Sequence, residues 1–267
     1  MDQYLKEKIE RFKREKGHII ENKWFPRVTS IIEVKAKPGL YKFYAESVSF
    51  EEANRKKGLA GSEGSKIHTA IEKILVGEEI TIEKELEPSI IAFKEFMKQN
   101  EIIADKTYVE KRILSNQFKY TGTFDFIGYV NGKFSVVDIK TSSSIYKDYG
   151  LQTSAYLYAL NEEGNLYDEG GRFFKKIPKE VESRFILLIR RKRICQKCGG
   201  EYIVRAGREP KIENGDPNCE HQFGEIIGEF ELKEFSNQSS DFRAFLACKD
   251  LWEWENEFYL RQIGYLD

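Results

Sequence analysis

The sequence predicts an α/β (α+β) fold in which a mixed β-sheet core is flanked by helices. Apolar and β-branched residues at 118–130 and 133–141 flank an Asn-Gly pair, which is typical of a tight hairpin turn. Apolar residues at 67–75 and at 85–100 recur at helical spacing. Strands and helices therefore alternate along one chain, as they do where helices cover the faces of a sheet.

The other elements follow the same two patterns. Residues 1 to about 66 are predicted to be mostly helical, with a break at Lys37-Pro38-Gly39. A helix that carries Gln152 is expected after the hairpin, and an aromatic-rich helix is expected at 242–260. Further strands are predicted near 107–114, 183–192 and 224–234.

Composition favours an intracellular globular protein. The chain has 267 residues, of which 40% are hydrophobic and 33% charged, enough for one core with insertions. No apolar run is long enough to span a membrane, and the N-terminal residues lack the apolar segment of a signal peptide. We therefore expect a cytoplasmic protein with no membrane partner. A formal net charge of −1 still allows basic residues to cluster locally.

The hairpin carries three charged side chains at informative positions. Asp138 and Lys140 are two residues apart on one strand and share a face, and Asp125 lies on the paired strand. Asp138 also interrupts an apolar run, where an unpaired carboxylate would be costly to bury. Carboxylates that hold a divalent cation beside an ammonium group are what hydrolysis of a phosphodiester requires. The alternative is a solvated strand face with an ordinary Asp–Lys pair.

Five short motifs occur in order between residues 24 and 160. They are Phe25-Pro26-Arg27-Val28-Thr29-Ser30, Gly64-x-x-x-His68-x-x-x-Glu72, Gly122-Thr123-Phe124-Asp125, Asp138-Ile139-Lys140-Thr141 and Gln152-x-x-x-Tyr156. Together they resemble the PD-(D/E)XK nuclease superfamily, and within it the RecB-like exonuclease branch. In that branch they are similar to the mitochondrial genome maintenance exonuclease and to related phage and CRISPR-adaptation nucleases.

The resemblance implies a restriction-endonuclease-like core and a metal-dependent nuclease. Lys140 would be the catalytic lysine, and Gln152 and Tyr156 would face the scissile phosphate or the DNA strand from the following helix. The implied ligands of a Mg²⁺ or Mn²⁺ ion are His68, Asp125, Asp138 and, through its carbonyl, Ile139.

The helix that carries His68 supports this interpretation. Glu72 lies one turn beyond His68 on the same flank, where it can orient the imidazole. A lone helix histidine is more often structural, so the ligand role depends on the downstream carboxylates. An imidazole among carboxylates suits manganese as well as magnesium. Gln152 and Tyr156 are one turn apart and have an alternative as ordinary helix residues.

A second cluster predicts an insertion at 194–223 that binds zinc. Cys195 and Cys198 form a C-x-x-C-G pattern, and Cys219 and His221 follow as C-x-H. These four residues form a zinc-knuckle ligand set. The loop between them has few apolar residues, so metal binding would supply its stability.

Two other uses of the cysteines are less favoured. Some RecB-like relatives hold an iron–sulfur cluster with one cysteine upstream of the core and three downstream. This chain has no cysteine before Cys195, which argues against such a cluster. Cys248 could instead complete a four-cysteine set with Cys195, Cys198 and Cys219. It lies in a helical apolar pattern, however, and is predicted to be a buried core thiol. Disulfides are not expected in a cytosolic chain.

Two short basic runs are candidate contacts for DNA. One precedes the His68 helix, and the other, the densest in the chain, follows the predicted strand at 183–189. Either run has a solvated alternative. Their residues are Arg55, Lys56 and Lys57 in the first run, and Arg190, Arg191, Lys192 and Arg193 in the second.

These observations predict a metal-dependent deoxyribonuclease, specifically an exonuclease on single-stranded DNA, in replication, repair, recombination or phage DNA processing. Residues 1–66 would form part of the DNA path, and residues 67–267 would form the nuclease core. One alternative is an endonuclease of restriction or junction-resolving type. Another is a catalytically inactive, zinc-bearing protein that binds nucleic acid.

Overall fold

Helices dominate the first hundred residues of the computed structural model, which describes residues 3–267. A short antiparallel hairpin, β1–β2, separates the first helix from the rest. In chain order the elements are α1 (Gln3–Lys16), β1 (Gly17–Ile20), β2 (Lys23–Pro26), α2 (Val28–Ile31), a 3-10 turn (Ile32–Val34), α3 (Pro38–Glu46), α4 (Phe50–Val76) and α5 (Glu87–Gln99).

The remaining residues supply the large sheet and the helices that cover it. The elements are β3 (Ile102–Ser115), β4 (Tyr120–Val130), β5 (Lys133–Lys140), α6 (Asp148–Glu162), β6 (Asn165–Tyr167), β7 (Phe173–Lys176), β8 (Ser183–Ile194), β9 (Glu201–Val204), β10 (Ile227–Glu234), α7 (Gln238–Glu255) and α8 (Glu257–Gln262).

The large sheet has eight strands, with the order β10-β8-β5-β4-β3-β6-β7 and with β9 paired to β8. Strands β5 and β8 are parallel, whereas the other pairs are antiparallel. Parallel neighbours need a crossover, and α6 lies within it. The predicted α/β (α+β) class, with a mixed sheet between helices, is confirmed.

Helices cover both faces of the sheet because side chains alternate along β5. Val137 and Ile139 pack with buried residues of α4 and α5 in one core cluster. Phe134 and Val136 pack with buried residues of α6 and α7 in the other. The chain therefore forms three layers, and the ends of β4 and β5 lie between α4 and α6.

Helix α4 has clear signals at both ends. The Ser49 side chain accepts a hydrogen bond from the Glu52 amide at its start, and Gly77 ends it with φ of 83°. The helix runs through 27 residues without a break. The predicted division at residue 66 falls inside it, so no secondary-structure boundary marks that division.

The N-terminal region differs from the predicted run of helices. Glu21 and Asn22 have φ of 47° and 67°, and this left-handed pair forms the turn between β1 and β2. The predicted break between helices is present at residues 35–37, and Pro38 follows it in the first turn of α3, where a missing amide proton costs nothing. Of the helices described in residues 3–267, none has both the length and the apolar character of a membrane span.

Candidate active site

The site begins where β4 and β5 separate. Their pairing ends at Phe126 and Val137, one residue short of Asp125 and Asp138. Beyond that point the Ile139 amide donates a hydrogen bond to Oδ2 of Asp125. A side-chain carboxylate thus takes the place of a backbone acceptor, and this contact holds Asp125 at the end of the hairpin.

His68 of α4 lies against Asp125, with 3.2 Å between Nδ1 and Oδ1. Burial would lower the pKa of His68, but the adjacent Asp125 outweighs it and raises that pKa. Burial would raise the pKa of Asp125, but His68, Lys140 and the Ile139 amide outweigh it and lower that pKa. Asp125 is therefore ionised at neutral pH. The imidazole contacts Asp125, not the predicted partner Glu72.

Glu110 of β3 lies beside His68 and Asp125, and it is not among the site residues predicted from the sequence. Its neighbours Val109 and Lys111 pair with Phe126 and Phe124, so Glu110 lies opposite Asp125. Its φ of 49° is uncommon for a residue other than glycine. Burial and the nearby carboxylates, first among them Asp125, raise the pKa of Glu110 to about 9. Glu110 is therefore protonated at neutral pH unless a cation binds beside it.

The ligand atoms of His68, Glu110 and Asp125 lie within 4.8 Å of one another. One imidazole and two carboxylates suit Mn²⁺ or Mg²⁺, and a cation would offset both the burial and the repulsion that raise the pKa of Glu110. The donor set therefore fits the predicted ion. Asp138 stands outside this group among residues 3–267, so its role as a ligand, and that of the Ile139 carbonyl, stay predictions.

Asp138 and Lys140 form an ion pair, with 2.5 Å between Oδ2 and Nζ. Burial raises the pKa of Asp138 to about 6, and Asp125 adds to this shift while Lys140 opposes it. Burial would lower the pKa of Lys140, but the two aspartates outweigh it and raise that pKa. Lys140 is thus a cation at neutral pH, and its Nζ lies 5.1 Å from the centre of the Tyr149 ring.

Gln152 and Tyr156 of α6 form a short chain of hydrogen bonds that ends on Asp138. The Gln152 Nε2 donates to Oδ1 of Asp138 and to the Tyr156 hydroxyl, each at 2.9 Å. Both side chains are buried, and Tyr156 is 1% exposed. This placement differs from the expectation that the two residues face the scissile phosphate. The Tyr156 ring packs against Gly122, where an added Cβ would lie 2.6 Å from the ring.

A cleft of about 730 Å³ opens above these residues. His68, Glu110, Asp125 and Lys140 lie along it, and so does Glu72. Its positively charged lining residues besides Lys140 are Lys57, Arg205 and Arg208. The acids and the bases thus line the same cavity, as binding of a polyanion beside a metal centre requires.

The densest basic run is largely neutralised by acids of the same chain. Arg190 pairs with Glu229 at 2.5 Å, and Lys192 pairs with the same carboxylate at 2.9 Å. Arg191 is 3% exposed and forms an ion pair with Glu63. The contacts of Glu229 follow from strand pairing, because β10 lies beside β8, whereas Glu63 belongs to α4. Each of these three cations therefore has an acid partner within the chain, and their predicted contact with DNA stays a prediction.

The other predicted DNA contacts divide in the same way. Arg55 pairs with Glu52 at 2.7 Å, and Lys56 lies 3.6 Å from the same residue. Lys57 lines the cleft. A role for Lys57 and for Arg193 in binding DNA stays a prediction.

The predicted zinc ligands come together at the base of the insertion. Sγ of Cys195 lies 3.9 Å from Sγ of Cys219, and Sγ of Cys198 lies 3.4 Å from Nδ1 of His221. All four ligand atoms lie within 4.8 Å of one another. Cys248, by contrast, packs against the core from α7. A metal-binding cluster of three cysteines and one histidine is therefore present, consistent with the predicted zinc site.

The protonation of the cluster fits a cation. Burial opposes ionisation of Cys195, but backbone amides and His221 outweigh it and lower the pKa of that thiol to about 5. Burial and the neighbouring thiols raise the pKa of Cys219 to about 11. A bound metal would favour both thiolates, because its charge compensates their repulsion.

A comparison with protein families matches residues 40–234 to the PD-(D/E)XK nuclease superfamily. The match covers more than half of the chain, so the chain belongs to this superfamily, as its motifs predict. The eight-stranded mixed sheet between helices is consistent with the restriction-endonuclease-like fold. Comparison with individually curated proteins gives no match. Membership implies a nuclease, a phosphodiesterase whose substrate is a nucleic acid.

Proposed function

We propose that this protein is a metal-dependent deoxyribonuclease that degrades single-stranded DNA from an end. The main support for this proposal is the cluster of His68, Glu110 and Asp125 beside the Asp138–Lys140 ion pair. The order of the five motifs supports the RecB-like branch, and therefore an exonuclease. Replication, repair, recombination and phage DNA processing are all compatible pathways.

The proposed cofactor of the reaction is Mg²⁺ or Mn²⁺, held by His68, Glu110 and Asp125. When bound, such an ion polarises a phosphoryl oxygen and lowers the pKa of water. The residues of the chain set the geometry: the Ile139 amide orients Asp125, and Asp125 orients the His68 ring. We also propose that the cysteine cluster holds a structural Zn²⁺.

Lys140 acts as a cation in this proposal. Its raised pKa keeps it protonated at neutral pH, so it cannot accept a proton as a general base. Its ammonium group instead donates to the phosphate oxygen on which negative charge increases during displacement. Asp138 holds Nζ in place, and Gln152 holds Asp138. Gln152 and Tyr156 are therefore positioning residues.

The test is a cleavage assay with Mn²⁺ or Mg²⁺ on linear and circular single-stranded DNA of one sequence. The linear strand is labelled at one end or the other, which reveals polarity. We expect the linear DNA to be shortened stepwise and the circle to stay intact. Cleavage of the circle would indicate an endonuclease. Cleavage of an RNA strand in preference to DNA would contradict the proposed substrate, and binding without any cleavage would indicate an inactive binding protein.

A further inference from the structure

The tip of the cysteine insertion, residues 205–209, lies across helices α3 and α4. The Ala206 amide donates to Oε2 of Glu63 at 3.2 Å. The Arg208 guanidinium lies 3.5 Å from the centre of the Phe43 ring. Glu209 lies 3.7 Å from Nζ of Lys56. The insertion tip is thus attached to α4, the helix that carries His68, although about 140 residues separate the two in the sequence.

A tight turn fixes the two arginines of the insertion tip. The Arg208 amide donates to the Arg205 carbonyl at 3.1 Å, and Gly207 between them has φ of 69°. A Cβ at Gly207 would lie 3.0 Å from the Cα of Lys56. Only a residue without a side chain allows both this backbone conformation and this approach to α4. Arg205 and Arg208 consequently both line the cleft above the candidate active site.

The charges of these arginines are not neutralised within residues 3–267. No ion pair joins Arg205 or Arg208 to an acid in that range, although Arg190, Arg191 and Lys192 all have one. Nε of Arg208 is buried and has no hydrogen-bond partner in the same range. A buried guanidinium nitrogen without an acceptor is costly unless a ligand supplies one.

We infer that the insertion tip is a clamp whose Arg205 and Arg208 bind backbone phosphates of single-stranded DNA next to the scissile phosphate. Guanidinium groups bind phosphate through paired hydrogen bonds, and contacts with phosphate do not depend on base sequence. The inference rests on the proposed function for its substrate. It assigns the insertion a part in substrate binding, and the metal of the insertion would hold the clamp in place without entering the chemistry.

The clamp is tested by DNA binding and by steady-state cleavage. The variant is R205Q/R208Q, and the control is K197Q/K211Q, which removes the same charge from two exposed lysines of the same insertion. Affinity for a labelled oligothymidylate is measured over a salt series, with Lys140→Ala in every protein so that the DNA stays intact. The cleavage constants are measured with Lys140 present.

We expect R205Q/R208Q to bind at least about tenfold more weakly, with a slope of log Kd against log salt lower by about 1.4, the value for two lost contacts on a single strand. KM should rise while kcat stays near that of the wild type. R205K/R208K should recover the salt slope, because it restores both charges, but only part of the affinity. Affinity and slope equal to those of K197Q/K211Q would overturn the clamp.

The DNA-binding measurement distinguishes a failure of the clamp from a failure of the proposed nuclease function. If the wild type cleaves no DNA yet R205Q/R208Q loses affinity and salt slope, the clamp stands and the nuclease assignment fails. If the wild type cleaves DNA and R205Q/R208Q matches the control in KM and Kd, the clamp fails and the nuclease assignment stands. Neither arginine has an ion pair within residues 3–267, so R205Q/R208Q should lose only the stacking of Arg208 on Phe43, and its melting temperature should stay close to that of K197Q/K211Q.

Discussion

Glu110 shows how neighbours decide the chemistry of a single residue. Its carboxyl group is held opposite Asp125, and burial together with nearby negative charge raises its pKa to about 9. The same features that disfavour its ionised form in the metal-free protein favour a bound cation, because the cation restores the charge balance. The resemblance of the five motifs to a known superfamily implies roles for His68, Asp125, Asp138 and Lys140. The motifs cannot predict Glu110, because its position depends on how β3 pairs with β4.

Replacing Glu110 with Gln tests this role. The amide keeps the shape but removes the charge, so Mn²⁺ affinity measured by titration calorimetry should fall by about tenfold or more. In EDTA the variant should be more stable than the wild type, by on the order of 1 kcal/mol, because a carboxylate with a raised pKa destabilises the fold at neutral pH. Glu101→Gln, at an exposed position, is the matched control. Unchanged Mn²⁺ affinity would show that Glu110 is not a ligand.

At the scale of elements, long patterned segments were predictable and short ones were not. The β4–β5 hairpin follows from its apolar residues and its Asn131-Gly132 turn, and its position is as expected. The β1–β2 hairpin has strands of four residues, too short for alternation to distinguish them from a helix. Strands β6, β7 and β9 are equally short and depend on their partners in the sheet.

Gly122 of β4 links the hairpin to α6. An added Cβ would lie 2.6 Å from the Tyr156 ring, which is buried and cannot move freely. Gly122→Ala should therefore lower the free energy of unfolding by about 1–3 kcal/mol and reduce kcat, since Tyr156 and Gln152 hold Asp138. Gly58→Ala is the control: no atom lies within 4 Å of its added Cβ, and it should stabilise α4 by about 0.5–1 kcal/mol. Equal stability of the two variants in urea would contradict this packing.

The cysteine insertion should depend on its metal. Within residues 194–223, all described by the structure, only Cys195 and Gly200 are buried, so the segment has almost no core of its own. Cys198→Ser should abolish zinc binding, expose residues 205–218 to proteases and raise KM for DNA through the displaced tip. Cys248→Ser, outside the cluster, should leave all three unchanged. Zinc analysis, limited proteolysis and cleavage kinetics measure the three effects in both variants. A Cys198→Ser protein that kept its zinc and its protease resistance would refute the assignment of this cluster as a structural zinc site.

Across the whole molecule, acidic and basic side chains occupy different places, although the formal net charge of the chain is only −1. Acids gather where β3, β4 and β5 meet. The cleft is also lined by bases of α4 and of the insertion that have no ion pair within residues 3–267. Counting basic residues along the sequence selects Arg190 to Arg193, but three of these four pair with acids of β9, β10 and α4. Arg205 and Arg208 lie apart from the dense basic runs in the sequence, and only the folded chain brings them to the cleft. The fold class and the candidate catalytic motif are thus predictable from local sequence, whereas the proposed substrate-binding surface is not.

The central claim is that a cation held by His68, Glu110 and Asp125 acts together with a protonated Lys140. Lys140→Ala tests it most directly when Mn²⁺ binding and cleavage of linear single-stranded DNA are measured on the same protein. The exposed Lys106→Ala serves as the control. We predict that Lys140→Ala binds Mn²⁺ with nearly unchanged affinity but cleaves about a hundredfold or more slowly, while Lys106→Ala behaves as the wild type. Cleavage by Lys140→Ala at the wild-type rate would contradict the account.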